Sequence, residues 1–131
     1  MITIDTHIII WDALKPEALS RKAKRAISQA NEKDGIIISG ISLWEIAMLM
    51  KKNRLEIEVP YLEFIDLIIR SNNYILKGIT PEIADFSINL PEGINLDPAD
   101  RIICATSMAY KAPLVTADKN LLNSKSVITV W

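Results

Sequence analysis

Short runs rich in Ile and Val alternate along this chain with longer segments of helical spacing, and that alternation restricts the fold more than any other feature. Met1 to Ile4 is a β-rich run ended by Asp5, and Ile36 to Ile38 follows the turn signal Lys33, Asp34, Gly35. Leu114 to Thr116, after Pro113, and Val127 to Val130 are two more strand candidates, with Tyr74 to Leu76 a weaker fifth. Four of the six prolines, Pro16, Pro60, Pro81 and Pro98, open helical patterns, where a missing N–H costs nothing. Strands separated by helices predict an α/β domain with a mostly parallel sheet and right-handed crossovers.

The helical segments differ in how deeply they should be covered. Leu19, Ala23, Ala26, Ile27 and Ala30 have helical spacing, with Arg21, Lys22, Lys24 and Arg25 on the other faces, which reads as a solvated surface. Leu43 to Met50 and Ile102 to Ala109 are more apolar, and Tyr61 to Ile69 is apolar on nearly every side. With 131 residues the chain fits one domain. Its 50% hydrophobic content leaves apolar surface for a dimer or a bound peptide. Fifteen basic and sixteen acidic side chains give a net charge of −1, so the broad positive footprint of a protein that coats nucleic acid is missing and any phosphate contact must be local. Cys104, the only cysteine, has no internal disulfide partner and reads as a small buried residue of a reducing compartment. The first residues lack the basic region of a signal peptide and no apolar run approaches a membrane span, so no membrane association and a cytoplasmic location are expected.

Chemistry enters through four carboxylates. In a parallel α/β sheet, helix N-termini share an edge with strand C-termini, and ligands bind there. Asp5 ends the first strand and Asp118 follows the Leu114 to Thr116 strand, while Glu45 and Asp100 lie near helix starts expected around Ser42 and Asp97. All four should reach that edge. Taken singly, Glu45 and Asp100 also suit capping, since Ser42 to Glu45 is a capping-box pattern, and Asp97 with Pro98 makes a good N-cap and first helical residue. Asp5 has no comparable explanation in the sequence, because a carboxylate after an apolar strand gains little from burial unless something pairs with it. Converging like charges raise one another's pKa unless a cation lies between them, and hard oxygen ligands partly open to water suit Mg²⁺ or Mn²⁺. A metal-dependent phosphodiesterase is the reading.

The stretches Ile4 to His7, Ser39 to Ala47, Asp97 to Thr106 and Leu114 to Asp118, in this order and spacing, resemble PIN domains, in particular the small VapC-like ribonuclease toxins of toxin-antitoxin pairs. The closing Val130 and Trp131 also resemble that family's end. The resemblance covers most of the chain. It implies a single PIN-like nuclease domain over residues 1–131, folded as a three-layer α/β/α sandwich. It further implies a Mg²⁺ or Mn²⁺ site at Asp5, Glu45, Asp100 and Asp118, endoribonuclease activity on RNA, frequent homodimerisation and neutralisation by a cognate antitoxin. Asp5 and Asp100 are expected as direct ligands, Glu45 as a ligand or a positioner of water, and Asp118 as acting through a water.

Thr116 is a further candidate, able to hydrogen-bond a carboxylate or phosphate; Thr6 has the same chemistry in a turn setting. His7 reads as structural, and Lys51, Lys52 and Arg54 suit a helix C-terminus by the dipole alone. Trp11, Trp44, Leu14, Leu43 and Met48 could line a groove for an amphipathic antitoxin helix, with core packing the ordinary fate of each. Two rivals remain: a catalytically inactive PIN-fold interaction module, and an acidic-site phosphohydrolase. His7 stands where a haloacid-dehalogenase-type phosphatase wants a second Asp, and no Gly-rich phosphate loop is present.

Overall fold

In the computed structural model, which describes residues 1–91 and 97–131, five parallel strands form one sheet in the order β3-β2-β1-β4-β5. The strands are β1 (Ile2–Ile4), β2 (Ile36–Ser39), β3 (Tyr74–Lys77), β4 (Leu114–Val115) and β5 (Thr129–Val130). All five strand candidates are present. Thr116 lies just past β4, and only the last half of Val127 to Val130 is paired. β1 is central, with Thr3 level with Ile37 on one side and Leu114 on the other. Central parallel strands are buried on both faces, which is why β1 and β2 are apolar almost throughout rather than alternating.

The helices are α1 (Thr6–Leu14), α2 (Arg21–Glu32), α3 (Gly40–Lys51), α4 (Tyr61–Ser71), α5 (Pro81–Ile88), α6 (Pro98–Tyr110) and α7 (Lys119–Leu122). Right-handed crossovers send the chain outward from β1 to β3 over one face and back to β4 and β5 over the other, which places helices on both sides of the sheet. Two apolar clusters match these faces. The larger joins Ile4, Ile8, Ile9, Ile36, Ile46 and Ile68 with neighbours from α1 to α4; the smaller joins Ile103, Cys104, Leu114, Leu121 and Val127.

Three helix starts differ from expectation. Pro16 opens only a short 3₁₀ turn, Pro16–Ala18, and α2 begins afterwards behind an N-cap at Ser20. The run after Asp5 is itself a helix, α1, entered with no loop. α3 starts at Gly40 behind Ser39, whose hydroxyl accepts from the Ile41 N–H at 3.4 Å, so Ser42 is not the cap and Glu45 lies beyond the first turn. The expected capping box is therefore absent. α4 buries Phe64, Ile65 and Ile68 but leaves Leu62 80% and Leu67 55% exposed, so its all-round apolarity reflects surface that the fold does not cover. Trp44 is 54% exposed and is not a core residue. At the entry to β2, Gly35 has φ +97°, and a Cβ there would come within 2.7 Å of the Ile75 side chain, so the turn needs glycine. Among the described residues no helix is long and apolar enough to cross a membrane.

Candidate active site

The strand ends meet the starts of α1 and α6 and the first half of α3 around a cleft of about 370 Å³ lined by Asp5, His7, Trp11, Glu45, Asp97, Asp100, Ala117 and Asp118. The fold thus brings all four sequence-selected carboxylates to one place. Each arrives by a different route. Asp5 follows β1 directly, Asp118 follows β4 after two residues, Glu45 sits in the second turn of α3 and Asp100 in the first turn of α6.

Asp5 is buried and does have structural employment, which corrects the expectation drawn from the sequence. It is the N-cap of α1, with Oδ1 accepting from the Thr6 N–H at 2.8 Å, while Oδ2 accepts from the Thr116 hydroxyl at 2.8 Å. Burial raises its pKa; the bonds from Thr116 and Thr6 and the nearby His7 oppose that, and Asp118 adds to it. Thr116 in turn accepts from the Asp118 N–H at 3.0 Å, tying the β4 end to the β1 end. Asp118 also caps α7, accepting from Asn120 N–H at 2.8 Å.

Glu45 has a raised pKa because burial outweighs the hydrogen bond from Thr6, with Asp5 and Asp97 raising it further and His7 opposing. The Thr6 hydroxyl donates to Glu45 Oε1 at 2.5 Å and lies 2.8 Å from the Ser42 hydroxyl. Since a carboxylate only accepts, Thr6 spends its proton on Glu45 and Ser42 donates to Thr6. Thr6 and Ser42 are fully buried. Thr6 therefore touches two of the acids, Asp5 through its N–H and Glu45 through its hydroxyl. From sequence alone Thr6 ranks below Thr116, and Ser42 reads as a cap. The one local signal is a hydroxyl directly after a strand-end carboxylate, but the contact with Glu45 spans 39 residues and is invisible to local patterns.

Asp100 carries the largest effect among the acids. Burial first, then Asp5, Asp97, Glu45 and Asp118, push its pKa up to about 7. Asp97 is the expected N-cap, accepting from the Asp100 N–H at 2.8 Å, and it also lines the cleft. One turn along α6, the buried Cys104 thiol is pushed up to about 12 by burial, then by Asp100, Asp5 and Asp118, so it is an inert core residue. His7 is exposed at the cleft, its ring edge-on to Trp11 with centroids 6.2 Å apart.

The donor set is hard oxygen with an excess of negative charge, which fits a divalent cation of the Mg²⁺ or Mn²⁺ type. Among the described residues no three His, Cys, Asp or Glu side chains are gathered tightly enough to hold an ion as they stand. The cleft is thus a shared acidic space rather than a finished coordination shell, with Asp5 and Glu45 already held by hydroxyls. A second, larger cavity of about 620 Å³ lies between the end of α1 and α4, lined by apolar side chains such as Leu14, Ile57, Val59, Phe64, Leu67 and Ile68. Of the expected groove residues only Leu14 lines it; Trp11 faces the acidic cleft, and Trp44, Leu43 and Met48 line neither cavity.

Residues 2–125 match the model of the PIN domain. The chain belongs to the PIN-domain family. It is 32% identical to Ribonuclease VapC22 of Mycobacterium tuberculosis over 132 aligned positions, covering 99% of this chain and 98% of that protein. Among solved structures it is similar to a toxin-antitoxin complex from Klebsiella pneumoniae, with TM-score 0.67 and 23% identity over 98% of this chain and 97% of that one. VapBC2 from Rickettsia felis bound to a promoter DNA fragment has TM-score 0.73 and 16% identity at the same coverage of both chains. These structural matches bear out the PIN-like α/β fold.

Proposed function

We propose that this PIN domain, acting as one unit over residues 1–131, is an endoribonuclease that hydrolyses RNA phosphodiester bonds with Mg²⁺ or Mn²⁺, and that it is the toxin of a cytoplasmic toxin-antitoxin pair. The observation that carries the metal reading is Asp100, whose carboxyl is held near neutrality by burial and four neighbouring acids. Such an arrangement is costly by itself and is relieved by a cation. The ribonuclease name of the full-length relative and the toxin-antitoxin character of the structural neighbours support the substrate and the partner.

Asp5, Asp100, Glu45 and Asp118 would hold the ion, with Asp5 and Asp100 as direct ligands and Asp118 acting through a water. Bound there, the metal supplies a water of lowered pKa and charge stabilisation for the phosphate oxygens. Thr116 fixes Asp5 and the Asp118 backbone relative to each other. Thr6 favours the ionised form of Glu45 and aims one of its oxygens, with Ser42 behind it. The antitoxin would occupy the apolar cavity beside α4, and the exposed Phe86 and Ile88 on α5 supply apolar surface for a homodimer.

The test is cleavage of total RNA by the purified protein with Mn²⁺, with excess chelator, and by Asp100→Asn. Cleavage that needs the metal and is lost in the variant is expected. Cleavage that continues in chelator, or at the wild-type rate in Asp100→Asn, overturns the reading.

A further inference from the structure

An acidic cleft repels the polyanion it is proposed to cut, and a net charge of −1 gives no overall attraction to compensate. A substrate must then be held by cations concentrated near the cleft. Four of the 15 Lys and Arg residues fall within five positions, Arg21, Lys22, Lys24 and Arg25, at the start of α2. All four are exposed, on the arc opposite the buried Ala23, Ile27 and Ala30.

These charges are unfavourable for the helix that carries them. The N-terminus is the positive end of the helix dipole, where cations destabilise. Arg21 and Arg25 repel at i,i+4, and Arg21 with Lys24 and Lys22 with Arg25 repel at i,i+3. The ion pairs formed among the described residues are Met1 with Asp34 and Arg70 with Asp66, so none of the four cations is matched by an acid. Glu17, the nearest acid in sequence, makes no ion pair with them.

Their position is set by the direction of α2. Ala26, Ala30 and Lys33 lie beside Met1 and Ile2 at the start of β1, so the first turns of α2 lie towards the strand end that bears Asp5. Arg21 precedes Ala30 by nine residues, a rise of about 14 Å, and Asp5 follows Ile2 by three, a rise of about 10 Å, so the start of α2 reaches about the level of the strand end that bears Asp5. Trp11 of the cleft packs on Trp131 with ring centroids 6.0 Å apart, and α2 packs on β5, the strand just before Trp131, so a pair of Trp rings runs from the cleft towards the strand that α2 covers.

We propose that Arg21, Lys22, Lys24 and Arg25 form a surface that holds the backbone of single-stranded RNA while the neighbouring nucleotides enter the acidic cleft. The proposal rests on the ribonuclease reading for its biological role, but RNA binding is measurable without cleavage. Proteins that track a single strand combine a positively charged surface with aromatic rings on which bases stack, and the Trp11–Trp131 pair supplies such rings on the cleft side.

The test is fluorescence anisotropy of a labelled 12-nucleotide single-stranded RNA in chelator, over a salt series, with wild type and with all four cations changed to Gln. The variant should bind about tenfold more weakly, and its dependence of log affinity on log salt should flatten by roughly 0.7 for each phosphate it no longer neutralises. Its melting temperature should be unchanged or higher, because repulsion is removed, and with Mn²⁺ the cleavage defect should appear in KM more than in kcat. The double variant Lys22→Gln with Arg25→Gln should show an intermediate loss. Equal affinity and salt slope in wild type and variant, or no RNA binding by wild type, overturns the proposal. So does unaltered RNA binding together with lost binding of polyglutamate, which would assign the surface to an acidic protein. RNA binding through α2 without metal-dependent cleavage would leave the surface standing and overturn the nuclease reading instead.

Discussion

The acidic cleft and the apolar cavity beside α4 are both reached from α1, yet they are built on opposite physical terms. In the cleft, Asp5 and Glu45 are tied by hydroxyls and backbone N–H groups, and the strain is electrostatic. Around the cavity, Leu14, Leu67 and their neighbours have no polar task, and the cost is apolar area left in water. At its polar end, Asp12 accepts from Asn72 Nδ2 at 2.9 Å and from the Tyr74 hydroxyl at 3.3 Å, which fixes the end of α1 against the end of α4. One region therefore concentrates negative charge and the other leaves apolar area uncovered, and the same helix frames both.

The largest effect should come from breaking the cleft. Asp100→Asn should reduce metal-dependent RNA cleavage by at least about 100-fold, since loss of a proposed direct ligand should cost no less than the roughly 10–100-fold that loss of an outer-shell partner costs, while leaving antitoxin binding intact. Single-turnover rates and co-purification read the two halves of that statement separately; loss of both would mean the regions are not independent. The complementary change, Leu67→Glu, should spare cleavage and weaken the antitoxin complex. Burying a leucine is worth about 1.5–3 kcal/mol, so a drop of more than tenfold in affinity by calorimetry is expected.

Metal and pH sharpen the electrostatic side. Manganese at about 100 times its dissociation constant should stabilise the wild type by roughly 2.7 kcal/mol and Asp100→Asn by much less. Without metal, the sign reverses in favour of the variant. Asp100 has a folded pKa of about 7 against an ordinary 3.8, so the folded state binds more protons, and its favourable contribution is complete below the unfolded value and lost as pH rises towards 7. The melting temperature of Asp100→Asn in chelator should therefore exceed that of wild type at pH 8, and the gap should close by pH 4. A gap that does not change with pH would show that the Asp100 carboxyl is not held up by burial and its neighbouring acids.

The smallest change is Thr6→Val. It removes one hydroxyl between Ser42 and Glu45, and unmet buried polar groups cost about 1–3 kcal/mol. Urea unfolding should register that loss, with most of it recovered in Thr6→Ser. Equal stability of wild type and Thr6→Val would mean that the hydroxyl contributes nothing.

The layer plan and the functional edge are written in the order of residues along the chain. Ile-rich runs too short and too apolar for anything but buried strands, separated by Pro-started helices, lead to the parallel sheet, and sheet geometry then sends Asp5, Asp100 and Asp118 to one side. Those are local periodicities, legible without knowing which segments meet. Meetings between distant segments set the rest. Ser42 supports Thr6 instead of capping a helix because β1 and β2 lie side by side and bring α1 against α3. Trp44 and Leu67 stay exposed, although each is as apolar as its buried neighbours, because burial depends on which face of a helix finds a partner. The neutral-range acidity of Asp100 likewise follows from burial and from charges carried on several separate segments, and only their convergence in space creates it.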